Sequence, residues 1–186
     1  PPEIFSQGMI VILNYLRKVF ETRRTAKLDL SSFHIANLPL EICKLSGLTE
    51  LRLSNNTLST LPDEVGDLSQ LVSLVMDDNV LTTLPASFGK LVSLTKLEAS
   101  FNRLSTLPDD FRNCTMIRDL YLDHNLFTEV PPCIGSLLKL QHLWLHNNEL
   151  IAVAPEVGNL GNLIEMRLNN NQLARLPKVL SGMTSV

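Results

Sequence analysis

The sequence predicts an α/β solenoid: a horseshoe with parallel strands on its concave face, irregular, 3-10 or short helical segments on its convex face, and one N-terminal helix. Aliphatic residues recur every 23 residues, and an asparagine follows each group at a fixed distance. Apolar residues at helical spacing before the first complete repeat predict the helix. Complete repeats begin at Leu48, Leu71, Leu94, Ile117, Leu140 and Leu163.

Each repeat follows the pattern L-x-x-L-x-L-x-x-N-x-L-x-x-L-P-x-x-[IVF]-G-x-L, as in Leu48 to Leu68. Alternation along the strand places Leu51 and Leu53 inside and leaves Arg52 and Ser54 outside. A single repeat buries too few leucines to offset about 1–2 kcal/mol of backbone entropy per residue, so the repeats must stack. We expect the asparagines to satisfy backbone groups where each strand turns: Asn56, Asn79, Asn102, Asn125, Asn148 and Asn171.

The chain divides at about residue 25. Residues 25–186 hold seven repeats, the first of them degenerate, and we expect them to be an excerpt of a longer array. Residues 1–24 combine the end of a preceding repeat, Pro1 to Ile4, with an amphipathic helix over about residues 7–22 that caps or interrupts the array. The apolar stripe of that helix is predicted to be Ile10, Ile12, Leu13, Leu16, Val19 and Phe20.

Composition excludes several classes of partner. The net charge is −3 and charged residues make up 19% of the chain, so it has no basic field for nucleic acid or anionic lipid. The longest apolar run, Met9 to Leu13, is too short to span a bilayer. Three cysteines at different phases of the repeat do not form a disulfide framework, which indicates reduced thiols and a cytoplasmic, intracellular protein.

The pattern over residues 25–186 resembles the intracellular 23-residue class of leucine-rich repeats found in Ras-pathway scaffolds, scribble-type polarity proteins and plant Ras-group proteins. The resemblance implies a scaffold that binds a protein, often a small GTPase or a phosphatase subunit. Two alternatives stay open: a regulatory or autoinhibitory domain of a larger GTPase- or kinase-type enzyme, and a structural cytoskeletal or ciliary component.

Candidate binding residues occupy the outward positions of the strands. Aromatic and apolar side chains at these positions fall on four consecutive repeats, together with three of the four histidines and the single tryptophan. Interface hot spots favour Trp, Tyr and Arg among polar neighbours. The predicted partner-binding residues are Val75, Phe101, Tyr121, Asp123, His124, His142, Trp144, His146 and Arg167.

Neither a metal site nor catalysis is predicted. His142 and His146 lie four strand residues apart, about 13 Å, which is too far to share an ion, and His146 beside Asp123 favours a salt bridge over a zinc shell. The sequence has no G-x-S-x-G, H-E-x-x-H or C-x-x-C motif, and Gly89-Lys90 lacks the upstream glycine of a phosphate loop. We therefore expect no enzymatic activity, no cofactor and no small-molecule substrate.

Overall fold

The predicted solenoid is confirmed in a computed structural model, which describes Ile4 and residues 8–174. Seven parallel strands of three residues form one sheet, in chain order and in a register of one repeat per strand. The strands are β1 (Lys27–Asp29), β2 (Glu50–Arg52), β3 (Ser73–Val75), β4 (Lys96–Glu98), β5 (Asp119–Tyr121), β6 (His142–Trp144) and β7 (Glu165–Arg167).

The core lies directly behind this sheet. The middle residue of every strand is buried, from Leu28 in β1 to Met166 in β7. The asparagine column turns the chain out of each strand, as predicted. The Nδ2 of Asn102 donates to the carbonyls of Met76 and Ala99 at 3.0 and 3.2 Å, and its Oδ1 accepts from the Leu81 amide at 3.0 Å. Each such amide therefore joins two consecutive repeats and satisfies buried backbone groups.

In the described residues, the convex side carries one short helical segment in each of the first six repeats. The first is the helix α2 (Leu40–Cys43), and the others are five-residue 3-10 helices. A Cβ added at Gly66 would overlap the carbonyl of Ser87 in the next repeat, so the glycine in the repeat pattern permits close packing of neighbouring turns. The 3-10 helices are Asp63–Asp67, Ala86–Lys90, Asp109–Asn113, Pro132–Ser136 and Pro155–Asn159.

A column of left-handed residues follows the strands, which the sequence reasoning did not predict. In every repeat, the third residue after the end of the strand has a φ between 52° and 61°. Serine, asparagine, aspartate and histidine tolerate this conformation better than a bulky residue does. The seven positions are Ser32, Asn55, Asp78, Phe101, His124, Asn147 and Asn170.

The N-terminal helix α1 spans Met9–Thr25 and ends at Ala26 in a left-handed conformation. It therefore reaches the first residue of the predicted first repeat. The predicted apolar stripe is partly wrong: Ile12, Val19 and also Tyr15 pack against the core. The other stripe residues are exposed because the helix packs through a face rotated from the predicted one: Ile10, Leu13, Leu16 and Phe20.

Two predictions fall partly outside the described residues: the preceding-repeat tail over residues 1–3, and the seventh repeat beyond residue 174. The three cysteines, Cys43, Cys114 and Cys133, are buried free thiols, and burial raises their pKa values to about 11, about 12 and about 11. Within residues 8–174, no helix combines the length and the apolar character that a bilayer crossing needs.

Candidate partner-binding face

The sheet register places the predicted aromatic residues side by side. Tyr121 and Trp144 are the last residues of β5 and β6 and pair directly across the ladder. Their ring centroids lie 4.5 Å apart with the planes tilted by 45°. Arg167, the last residue of β7, places its guanidinium 4.1 Å from the centroid of the Trp144 ring. The three side chains form one stacked row across three repeats.

A second row of rings adjoins the first at the strand exits. The ring of His146 lies 6.0 Å from Trp144 and 5.5 Å from His124, edge to face in both cases. His124 in turn stacks on Phe101 with centroids 3.9 Å apart and planes within 16° of parallel. We call the two rows together the aromatic patch: Phe101, Tyr121, His124, Trp144, His146 and Arg167.

Polar neighbours fix the rings of the aromatic patch. The Nε1 of Trp144 donates to Glu165 Oε2 at 3.1 Å. Hydrogen bonds from Arg167 and then from Trp144 lower the pKa of Glu165, which keeps this acceptor ionised. The ammonium of Lys96 lies 5.6 Å from the Tyr121 ring centroid. Burial raises the pKa of Tyr121, so its phenol stays protonated. These contacts hold the rings in fixed positions on the concave face.

Two predicted site residues do not belong to this surface. Val75 is only 7% exposed, and its partners in register are the longer Arg52 and Glu98. Val75 occupies an outward position of the strand, as predicted, but the side chains of Arg52 and Glu98 beside it are longer. Asp123 is 5% exposed, and its Oδ1 accepts a 2.6 Å hydrogen bond from the Ser100 hydroxyl. Neither side chain is exposed enough to contribute much surface to a protein contact.

His142 lies at the side of the aromatic patch rather than within it. Its Nδ1 is 2.6 Å from Asp119 Oδ1 on β5, so the two side chains form a polar border. Three residues that contact the rings are missing from the predicted site: Lys96 contacts Tyr121, Glu165 contacts Trp144, and Asn147 contacts His124. Their positions in the repeat could have identified them, because each lies one repeat away from the ring that it contacts.

The opposite end of the sheet carries charges in place of rings. Glu50 accepts from Lys27 at 2.9 Å and from Arg52 at 2.7 Å, and Lys18 of helix α1 reaches Asp29 at 3.1 Å. These acids and bases largely neutralise one another at the surface. The aromatic patch is therefore confined to the β4–β7 end of the concave face.

Comparisons with known proteins agree with this architecture. Residues 10–120 match the family model described as "Leucine-rich repeat region". A leucine-rich repeat protein of Leptospira interrogans is 36% identical, with a TM-score of 0.82, over 86% of this chain and 41% of its own. An internalin of Listeria monocytogenes is 19% identical, with a TM-score of 0.61, over 86% of this chain and 52% of its own, which supports the fold alone. No match was found among curated proteins.

Proposed function

The chain belongs to the leucine-rich repeat family, and we propose that it is a protein-interaction module whose partner docks on the aromatic patch. Leucine-rich repeat domains generally bind protein partners on a rigid curved scaffold. The chain spans less than half of the length of its Leptospira relative, so this proposal concerns the binding module and not a whole protein.

The observation that carries the proposal is the contact between the rings of Tyr121 and Trp144 and the guanidinium of Arg167 on three adjacent strands. Tryptophan, tyrosine and arginine are the residues that dominate interface hot spots. These side chains are already fixed by stacking and by the Trp144–Glu165 hydrogen bond. Binding consequently costs less side-chain entropy than it would on a surface of mobile side chains.

The backbone at Phe101 gives independent support. This phenylalanine is 48% exposed and has a φ of 54°, a left-handed conformation that bulky side chains rarely adopt. The adjacent repeats place Asp78 and His124 in the same slot, and the repeats beyond them place Asn55 and Asn147 there. An exposed apolar ring in a strained conformation is a costly choice for stability. We infer that it is held there for contact with a partner.

The resemblance to the intracellular 23-residue class makes a small GTPase or a phosphatase subunit the partner class to test first. A binding role also accounts for the open shape of the face. Tyr121 and Trp144 lie on a sheet surface rather than in a cleft that excludes water, so we propose binding and not catalysis.

The test compares the intact chain with the double variant Tyr121→Ala/Trp144→Ala. Both chains are immobilised, used to capture proteins from cell extract, and the bound proteins are quantified by mass spectrometry. Binding of a captured protein is then measured with purified components, starting with GTPases and phosphatase subunits. Loss of two hot-spot rings costs at least about 2 kcal/mol, so we expect binding to weaken about 30-fold or more.

The matched control is Asp29→Ala/Arg52→Ala, which changes the same strand position on β1 and β2. We expect this control to capture the partner as the unmodified chain does. Thermal unfolding of both double variants should stay nearly unchanged, because the side chains removed lie outside the core. If the Tyr121 and Trp144 variant binds the purified partner as well as the control does, the aromatic patch is not the docking surface.

A further inference from the structure

Three metal-ligating side chains converge at the edge of the aromatic patch. Asp123, His124 and His146 each offer one ligand atom, and these atoms all lie within 4.8 Å of one another. We propose that they form a binding site for a divalent transition-metal ion, with Zn²⁺ as the occupant. The sequence favours a salt bridge over a zinc shell here, because His142 and His146 are too far apart to share an ion and Asp123 lies beside His146.

The geometry is close to that of a tetrahedral ion. His124 Nδ1 lies 2.9 Å and His146 Nε2 lies 3.7 Å from the same atom, Asp123 Oδ2. Ligand bonds to zinc of about 2.0–2.2 Å place neighbouring ligand atoms about 3.3 Å apart. The two separations from Asp123 Oδ2 fall on either side of that value, and the ligand atoms of the two histidines lie within 4.8 Å of each other, so rotations of the side chains are needed to bring all three atoms to one ion.

His146 lacks the partners that a buried imidazole normally has. Its Nδ1 is buried and makes no hydrogen bond. Its Nε2 lies 3.7 Å from the carboxylate, which is longer than a hydrogen bond. The imidazole of His146 is therefore poorly satisfied. An ion between Nε2 and Asp123 Oδ2 gives Nε2 a ligand bond and places positive charge beside the carboxylate.

The surrounding residues hold two of the ligands in place. The Ser100 hydroxyl donates to Asp123 Oδ1 at 2.6 Å, which leaves Oδ2 directed at the histidines. His124 Nε2 is 3.0 Å from the Asn147 amide, which lies 2.7 Å from Asn170. When Nδ1 of His124 binds a metal, its Nε2 carries the proton and donates to the amide oxygen of Asn147. The amide groups of Asn147 and Asn170 then exchange the positions of their oxygen and nitrogen atoms, which leaves their shape unchanged.

The combination of residues is particular to two repeats. The slot of Asp123 and His146 holds Ser54 and Asn169 in other repeats, and Asn147 occupies the slot equivalent to His124. Two imidazoles and one carboxylate favour Zn²⁺ over Ca²⁺ or Mg²⁺, which prefer oxygen ligands. Three protein ligands leave a fourth position open for water or for a side chain of a bound protein.

The test measures metal binding by the full chain in the absence of any partner, so its failure would leave the proposed docking function untouched. Calorimetric titration with Zn²⁺ should give one ion per chain. Titration with Co²⁺, a spectroscopic substitute, should produce visible absorption typical of tetrahedral nitrogen and oxygen ligands. In NMR spectra, Zn²⁺ should shift the ring protons of His124 and His146 and leave those of His34 unchanged.

Substituting a residue that another repeat carries at the equivalent position should preserve the fold, because that residue is already accommodated in the same backbone geometry. We expect His146→Asn and His124→Asn each to weaken Zn²⁺ binding by at least about 10-fold, and Ser100→Ala to weaken it about 10-fold. The matched control is His142→Ser, which removes the neighbouring histidine that pairs with Asp119 and should bind Zn²⁺ normally. Absence of stoichiometric binding, or binding that survives His124→Asn/His146→Asn, would overturn the site.

Discussion

The two halves of the concave sheet share one backbone and differ in the side chains that face the hollow. In the charged half, strands β1–β3, surface acids pair with bases, as Lys27 does with Glu50 at 2.9 Å. In the aromatic half, strands β4–β7 and the residues that follow them, the concave face carries stacked rings and a guanidinium. The strand register and the asparagine bonds are the same in both halves. The repeat therefore determines the scaffold, and the outward positions determine what each half can bind.

A single pair of aspartates shows how far the outward positions can diverge. Asp77 and Asp123 occupy the same slot two repeats apart, and both bond to Ser100 between them, Asp77 through the backbone amide at 2.8 Å and Asp123 through the hydroxyl at 2.6 Å. Asp77 faces the acidic Glu98, whereas Asp123 faces two histidines. Equivalent carboxylates thus lie in a repulsive environment in one half and in a ligand-like environment in the other.

The largest expected effect tests whether the scaffold is equally strong in both halves. Asn56→Ala and Asn125→Ala each remove a side-chain amide that accepts a hydrogen bond from one buried N–H and donates to backbone carbonyls. These hydrogen bonds are 2.8–3.3 Å long at Asn56 and 2.9–3.2 Å long at Asn125. Leaving these groups unpaired costs about 3 kcal/mol of unfolding free energy at either site. Urea unfolding followed by circular dichroism measures both values.

Asn113→Ala serves as the control, because Asn113 is exposed at the end of a 3-10 helix and its loss should cost less than about 0.5 kcal/mol. If one of the substitutions Asn56→Ala and Asn125→Ala lowers the unfolding free energy several times more than the other, the two halves do not share one scaffold.

The pH dependence of stability should separate the halves at Asp77. Burial raises the pKa of Asp77 to about 7, and the charges of Glu98 and Asp78 act in the same direction, against the bond from the Ser100 amide. The folded state therefore holds a proton that the unfolded chain releases near pH 4. This contribution to stability is complete below pH 4 and is lost as the pH rises through 7.

Asp77→Ser places at this position the residue that Ser31, Ser54 and Ser100 supply in other repeats. The unfolding free energy of the variant relative to that of the unmodified chain should be about 1–2 kcal/mol higher at pH 8 than at pH 5, after allowance for solvent screening. Urea titrations at the two pH values give this difference. An effect of the substitution that is identical at pH 5 and pH 8 would contradict the protonation of Asp77.

Much of this molecule is predictable from its sequence, because the period of 23 residues fixes which side chains face the core. The phase of the repeat is enough to predict that Tyr121 and Trp144 lie on the concave face. The phase does not predict how exposed a side chain is: Val75 occupies an outward position and is still only 7% exposed beside the longer Arg52 and Glu98. It also could not foresee the left-handed backbone at His124, which turns that ring over Phe101 and its Nδ1 onto Asp123. Side-chain contacts between different positions of the repeat, such as those of His124 with Phe101 and Asp123, depend on this local backbone geometry.

The smallest expected effect exchanges residues between the halves within the left-handed column. Phe101→Asn removes a bulky side chain from a left-handed conformation and should raise the unfolding free energy by about 0.5–1 kcal/mol, since the lost stacking on His124 offsets part of the gain. The reverse change in the charged half, Asn55→Phe, should lower it by about 1 kcal/mol. Chemical denaturation measures both, and the capture assay should show weaker partner binding for Phe101→Asn alone. If Phe101→Asn instead destabilises the chain, the ring contributes to the fold, and its exposure no longer argues for a partner.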